Sequence, residues 1–551
     1  MTVPSRRRFV TSTAAAAAAT AAAGAGITAA AAPAHAHRPG RADAGAGFAP
    51  VTVAQDDPRY EDLAVRGTNK RFTARPESFR VVSSTAQVVA AVGEAVRAGK
   101  RIAVRSGGHC YENFVGDPAV RIVLDLGQLD TVRYDADRRA FEIGAGARLG
   151  DVYRTLYYGW GVTVPGGASA SVAFGGHVLG GGYGPLSRRH GISSDHLYAV
   201  EVVVVDAAGR ARAVVATREP GDPHRELWWA HTGGGGGNFG VVTRYWFRSP
   251  GATGGDPTTL LPRPPGSVLT STVMFPRDGL DKAAFRTLVG NHGRWHERHS
   301  GPDSPYRGLF SGLVLLGRQH QNDQGLAAIA FTHLDATLPN AEKLLQDHID
   351  ALTAGVAAEP WVMPTEKLPW LASVNSLAAA QDAETGRQKI KCSYLRRAFD
   401  DAQIDVLYDR LSGTDHVHDT ASVSLQSYGG RVNAVAPGAT ASAQRDSVLK
   451  ALFMNTWQDP AQDGDSVDWL RRLYADVYAE TGGVPVPGGQ GDGCFVNFPD
   501  VDTADPRWNT SGVPWHELYY KGNYRRLQAV KSAYDPRDVF RHALSIRPTG
   551  R

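Results

Sequence analysis

The chain has 551 residues, too many for one compact hydrophobic core, so two or more lobes are expected. A formal net charge of only +4, with no basic stripe, argues against a nucleic-acid partner. The three cysteines, Cys110, Cys392 and Cys494, cannot all pair and cannot be the framework of so large a chain, although one bridge stays open.

Taken in chain order, the first segment reads as an address. Ser5-Arg6-Arg7-Arg8-Phe9 opens an alanine-rich run from about Ala14 to Ala32, closed by the small-x-small pattern Ala34-His35-Ala36. This is the layout of a twin-arginine signal peptide over residues 1–36, and it implies export of an already folded protein. The run has too few strong hydrophobes for a membrane span, so no membrane anchor is expected. Residues 37–74 read as an N-terminal extension. Phe79–Ser83 is β-rich, Thr85–Arg97 has helical apolar spacing with Thr85 as its N-cap, and Ile102–Arg105 is a short strand running into Ser106-Gly107-Gly108-His109. Arg121–Asp125, Ala140–Gly144 and the β-branched run Val200–Asp206 read as strands, and Leu149–Tyr158 as a helix. The proline- and glycine-rich stretch from Pro250 to Pro265 marks a junction between lobes. Beyond it, strand-like runs (Leu313–Leu316, Ala328–Phe331) alternate with helical ones (Asn340–Ala354, Asp400–Leu411), an α+β layout.

Three glycine clusters carry the chemical signal. They are Arg105-Ser-Gly-Gly-His-Cys110, Phe174-Gly-Gly-His-Val-Leu-Gly-Gly-Gly-Tyr-Gly184, and Trp228 to Gly240. Glycine lets backbone amides approach a phosphate or a ring without a Cβ in the way. None is a Rossmann fingerprint or a Walker loop, but three such loops tied to strands point to a large phosphate-bearing cofactor. No metal is expected.

The run Arg105–His109 resembles the flavinylation loop of the berberine bridge enzyme-like family, within the PCMH-type (vanillyl-alcohol-oxidase) FAD superfamily. The likeness continues through Val164-Pro-Gly-Gly167, Gly175-Gly-His177, Gly180–Arg188, His190-Gly191, Asp195-His-Leu197, Gly233–Thr243, Tyr519–Tyr524 and Tyr534-Asp-Pro536. It implies a two-lobed PCMH-type FAD-binding domain (75–250), a substrate domain (251–499) with an antiparallel sheet flanked by helices, and a C-terminal segment (500–551) returning to the FAD domain. It also implies an FAD site drawn from Arg105, Ser106, Gly107, Gly108, His109, Cys110, Gly175, Gly176, His177, Gly182, Tyr183, Gly184, Gly191, Asp195, Val242 and Asn523.

In this family the loop histidine bonds through a ring nitrogen to the 8α-methyl carbon of FAD, which implies covalent FAD on His109. Such a bond prevents cofactor loss and raises the reduction potential of the flavin. Many relatives add a second bond from a cysteine. Ser169 stands at that position, so a single link is expected, and Cys110 reads as a buried, inert thiol.

In sugar- and alcohol-oxidising relatives a Tyr-x-Asn-Tyr segment supplies the tyrosine that helps remove a proton. The matching stretch is Phe495-Val-Asn497-Phe498, and a phenyl ring accepts no proton. Either another residue is the base, with Tyr428 the candidate (its alternative being a packing tyrosine), or the substrate needs none. Phe495, Asn497, Phe498 and Tyr428 are the expected substrate contacts. Two flat rings favour an aromatic or quinone-type small molecule over a sugar. The resemblance extends to a secreted bacterial branch that tailors or disarms antibiotics, with O2 as acceptor. A carbohydrate oxidase and a drug-binding protein with a vestigial flavin are the alternatives.

Overall fold

A computed structural model describes residues 49–318, 325–382, 386–414 and 420–550; the expected export signal and the start of the extension lie outside them. Three sheets organise the chain. The first contains β1 (Val51–Ala54), β2 (Ser78–Val81), β3 (Ile102–Arg105) and β4 (Ile122–Asp125) in the order β1-β2-β4-β3, with parallel pairing of β2 and β3 to β4. The helix Thr85–Arg97 makes the crossover that a parallel pair requires. Its N-cap is Ser84, whose hydroxyl accepts from the Gln87 amide at 3.3 Å, and not Thr85. Thr85 is free to turn inward because Ser84, one residue earlier, already satisfies the orphan amide.

The second sheet is antiparallel, with β5 (Val132–Asp135), β6 (Ala140–Gly144), β7 (Leu197–Val205), β8 (Ala211–Thr217) and β9 (Val241–Phe247) in the order β5-β6-β9-β7-β8. The expected strand Val200–Asp206 is the C-terminal part of β7, whose valines are mostly buried. The chain then crosses the proline-rich stretch into an eight-stranded antiparallel sheet. Its strands are β10 (Ser267–Pro276), β11 (Leu309–Leu316), β12 (Leu326–Asp335), β13 (Trp361–Val362), β14 (Glu366–Pro369), β15 (Arg387–Leu395), β16 (Thr420–Ser427) and β17 (Leu449–Trp457). They run β13-β10-β12-β11-β16-β17-β15, with β14 also on β10.

Strand alternation splits the large sheet into two faces. One face packs against the helices Lys282–His299, Ala341–Thr353, Asp401–Ser412 and Asp463–Val477, burying Leu313, Leu315, Val423, Leu425, Ala451 and Phe453 in one core. The other face turns toward the glycine-loop lobe. Residues near the C-terminus, including Tyr519, Tyr520, Leu527, Phe540 and Ile546, join the core of that lobe. This return places residues 494–500 at the seam between the lobes. Among the described residues no helix is long and apolar enough to cross a membrane.

Candidate active site

A cavity of about 1300 Å³ occupies the seam. Single-ligand sites run to about 1,000 Å³, so this one has room for a dinucleotide and a substrate together. One wall is glycine loops (Ser106–His109, Gly175–His177, Gly235–Gly237); the other is the free face of the large sheet.

The loop after β3 is built to hold its shape. The buried Arg105 guanidinium binds Asp125 at 2.9 Å and lies over the Phe79 ring, so it anchors the loop. Thr68 donates its amide to the Gly108 carbonyl at 3.0 Å. His109 projects into the cavity lining, with its Nε2 3.0 Å from the Ser171 hydroxyl. Its Nδ1 has no hydrogen-bond partner among the described residues. Burial holds this imidazole below its ordinary pKa, with the Asp382 carboxylate pulling the other way, so it is neutral and nucleophilic near neutral pH.

Across the cavity, Gly176 is open to it, and a Cβ there would meet no protein atom. His177 accepts the Gly167 amide at Nε2, 3.1 Å away, and burial pulls its pKa down to about 4. That histidine is a neutral strut for the 166–167 turn. Asn497 donates its side-chain amide to the His177 carbonyl at 2.9 Å and is likewise held.

On the sheet side, Lys450 of β17 is buried among rings. Its ammonium lies 4.8 Å from the Tyr183 centroid, 5.1 Å from Phe495 and 4.8 Å from Phe498. No carboxylate among the described residues forms an ion pair with it, and burial lowers its pKa to about 8. The Tyr183 hydroxyl is buried without a partner, and burial pushes this phenol above its ordinary range. An orphaned phenol beside an unpaired cation, both lining the cavity, leaves two polar groups for a bound substrate to meet.

The described residues fit FAD. An uninterrupted cavity joins the glycine loops to the sheet, an open glycine offers close backbone approach, and an unpartnered imidazole nitrogen waits at its edge. The family comparisons agree. An FAD binding domain matches residues 76–213, and a berberine and berberine-like domain matches residues 494–547. The chain is 53% identical to the aclacinomycin-N/aclacinomycin-A oxidase of Streptomyces galilaeus, over 92% of this chain and 91% of that one.

It belongs to the berberine bridge enzyme-like family of FAD-linked oxidases.

Solved structures of this family superpose closely. Aclacinomycin oxidoreductase matches with a TM-score of 0.87 and 52% identity, covering 91% of this chain and all (100%) of that one. A glycopeptide hexose oxidase complexed with teicoplanin matches with a TM-score of 0.86 and 51% identity, covering 91% and 99%. The protein is an FAD-dependent oxidase of the berberine bridge enzyme-like type, with the α+β two-lobed fold of its relatives.

The cavity gathers Arg105, Ser106, Gly107, Gly108, His109, Cys110, Gly175, Gly176, His177, Tyr183, Gly184, Val242, Phe495, Asn497 and Phe498 in its lining. Five of the residues expected at the site stand outside it. Tyr428 is buried behind Tyr183, ring centroids 5.0 Å apart, and its hydroxyl donates to the Gln444 carbonyl at 3.1 Å. It packs the wall and is not placed to take a proton from a substrate. Gly182, at φ 74, packs against Ser193, where a Cβ would clash with that side chain. Gly191, at φ 88, makes room for the carboxylate of Asp195, which holds the buried Arg445 guanidinium at 2.8 and 3.1 Å. Asn523 ties the carbonyls of Pro437, Thr440 and Ala441. Each keeps the glycine-loop lobe in shape rather than touching the cavity.

Cys110 is only half-buried and faces the cavity, yet burial lifts its thiol to about 11, so it carries little thiolate at neutral pH. Sequence reasoning missed Lys450, Ser171 and Asp382. The signal for Lys450 was available: one lysine in the otherwise apolar opening of Leu449–Met454, at a position whose alternation faces away from the helix-packed core.

Proposed function

We propose that this oxidase carries FAD on His109 through a single 8α-histidyl bond and oxidises an aromatic or quinone-type secondary metabolite in antibiotic tailoring, with dioxygen as electron acceptor. The reading rests on one observation: the Tyr183 phenol, the Lys450 ammonium and the Phe495 and Phe498 rings share one cavity with His109. Bound FAD supplies a hydride acceptor. Tyr183 in its phenolate form takes the hydroxyl proton of the substrate and becomes the neutral phenol, and the Lys450 cation over its ring favours the phenolate that the step needs. Phe495 and Phe498, 5.2 Å apart at 85°, offer a face and an edge to a polycyclic ring. Unlike the reading from Phe495-Val-Asn497-Phe498 alone, this site does have a base, so an alcohol or phenol is within reach. The oxidase of Streptomyces galilaeus, named for aclacinomycin substrates, supports an aromatic natural product.

The absence of a cysteine at Ser169 supports one covalent link. The N-terminal Arg6–Arg8 signature supports export through the twin-arginine route, for which cofactor attachment before transport is consistent.

A second reading, oxidation of a sugar hydroxyl, is favoured by Ser422, Ser424 and Gln426. These three face the same cavity from β16 at strand alternation and can hydrogen-bond polyols. A relative named as a glycopeptide hexose oxidase supports it. The test is anaerobic mixing of the purified enzyme with an aromatic aglycone, its glycoside and the free sugar. Bleaching of the flavin by the aglycone carries the first reading, and bleaching by free sugar alone carries the second. Absence of oxygen uptake during turnover rejects dioxygen as acceptor, and an unmodified mass for the His109 peptide in FAD-replete protein rejects the covalent bond.

A further inference from the structure

We propose that Ser171 and Asp382 form, with His109, a proton relay that drives attachment of FAD to the protein; the proposal rests on the covalent reading above. The imidazole Nε2 is 3.0 Å from the Ser171 hydroxyl, which is 2.9 Å from the Asp382 Oδ1 carboxylate oxygen. The Ser171 amide donates to Asp382 Oδ2 at 3.3 Å, and the Ser169 hydroxyl also donates to Asp382. Residues 169 and 171 come from the loop before the helix Phe174–Leu179, whereas Asp382 ends the helix Trp370–Asp382, so the relay spans both lobes.

The geometry fixes the direction of each proton. A carboxylate only accepts, and a serine has one proton to give. Ser171 therefore donates to Asp382, and its oxygen is left to accept from Nε2. That places the imidazole proton on Nε2 and the lone pair on Nδ1, the nitrogen without a partner. The order imidazole–hydroxyl–carboxylate is that of a nucleophile backed by a base.

The chemistry balances as follows. A bond forms between Nδ1 and the 8α-methyl carbon of FAD, and one methyl C–H bond breaks. The electron pair from that bond enters the flavin ring, and its proton goes to solvent, from which the reduced ring takes up its two protons. The Nε2 proton passes to the Ser171 oxygen as the Ser171 proton passes to Asp382, and from there to solvent. The reduced, now covalent flavin holds two electrons and two protons, which dioxygen accepts to give hydrogen peroxide. Serine at 169, where relatives carry a second flavin-linking cysteine, belongs to this hydrogen-bonded set through Asp382, so the vacated position serves the remaining link.

The experiment uses full-length enzyme purified with FAD present, comparing wild type with Ser171→Ala, Asp382→Asn and the conservative Ser171→Thr. Total flavin is read from absorbance of the native protein, and covalent flavin from the fraction retained after acid precipitation and from the mass of the His109 peptide. A positioned base contributes roughly 100-fold or more to such steps. The expected result is wild-type total flavin in every variant, attachment slowed roughly 100-fold in Ser171→Ala and Asp382→Asn, and recovery in Ser171→Thr. A purely structural defect would lower total flavin instead and would overturn the relay. Attachment at wild-type speed in Ser171→Ala and Asp382→Asn would also overturn it, leaving the covalent bond intact. An unmodified His109 peptide in wild type would overturn the covalent reading and the relay with it.

Discussion

Lysines on two neighbouring strands of one sheet are buried with opposite consequences. On β15, Lys389 sits 2.7 Å from Glu112 and 2.8 Å from Asp500, and Lys391 sits 2.6 Å from Asp500 and 2.9 Å from Asp502. Arg471 closes the network at 2.7 Å from Asp502. On β17, which pairs with β15, Lys450 has only aromatic rings. All three lysines are at most 4% exposed, so burial does not separate them. What separates them is a carboxylate within reach. Burial tends to lower the pKa of Lys389, but Asp500, Glu112 and Asp502 outweigh it and raise it; burial wins at Lys450. The paired cluster braces the seam, since Glu112 lies three residues beyond His109. The unpaired lysine stores an unfavourable charge where a substrate proton must go.

The largest effect is expected where pairing is broken. Asp502→Ala leaves the buried Lys389 and Lys391 to share Asp500 and strips Arg471 of its buried partner, and should cost about 3–5 kcal/mol, read from urea unfolding. A loss below about 1 kcal/mol would show that the cluster behaves as a surface ion pair and would erase the contrast.

Next comes Tyr183→Phe, which should lower kcat roughly 100-fold by removing the proton acceptor. Stability should hold or rise, because an unsatisfied buried hydroxyl costs about 1–3 kcal/mol. Unchanged turnover would move the base elsewhere. Lys450→Met should be smaller in rate, about tenfold, in line with a cation–π contribution of about 1–2 kcal/mol to the phenolate. Its stability should match or exceed wild type, the reverse of Asp502→Ala. A destabilised Lys450→Met would place Lys450 among the structural lysines.

The smallest effect is in the pH dependence, where the two regions differ in sign. Lys450 has a folded pKa of about 8 against an ordinary 10.5, so the unfolded chain binds more protons between those values and wild-type stability rises from pH 8 toward 10.5. Lys389 is raised above 10.5; its contribution is complete below that pH and is lost as pH climbs through the folded value. The Asp502 carboxyl is held far below 3.8, its burial overcome by Lys391 and Lys389; it contributes fully above 3.8 and fades in acid. Comparing Lys450→Met with wild type by thermal unfolding from pH 7 to 10 isolates the first slope. Equal slopes would mean that burial does not lower the Lys450 pKa.

Much of the glycine-loop lobe was legible because its signals are local. The helix Thr85–Arg97 and the strands Ile102–Arg105 and Ala140–Gly144 have the bounds that periodicity gave. His109 was legible because two glycines and a strand precede it within one loop. Tyr428 misled, because a Gln-Ser-Tyr-Gly-Gly stretch looks the same whether its ring faces a cavity or a neighbouring tyrosine. Asp195 and Asn523 misled for a related reason: a polar residue in a family motif can hold the backbone of a site without reaching the ligand.

The chain order of residues determined the glycine loops, the histidine at 109, the missing cysteine at 169 and the missing tyrosines at 495 and 498, since each is a matter of residue type at a fixed local spacing. Tertiary structure alone decided that Lys450 meets Tyr183 and that Asp382 meets Ser171, 211 residues away along the chain. The reason is that strand alternation gives a residue only its face, and which surface that face meets is settled by how two lobes close over a shared cavity.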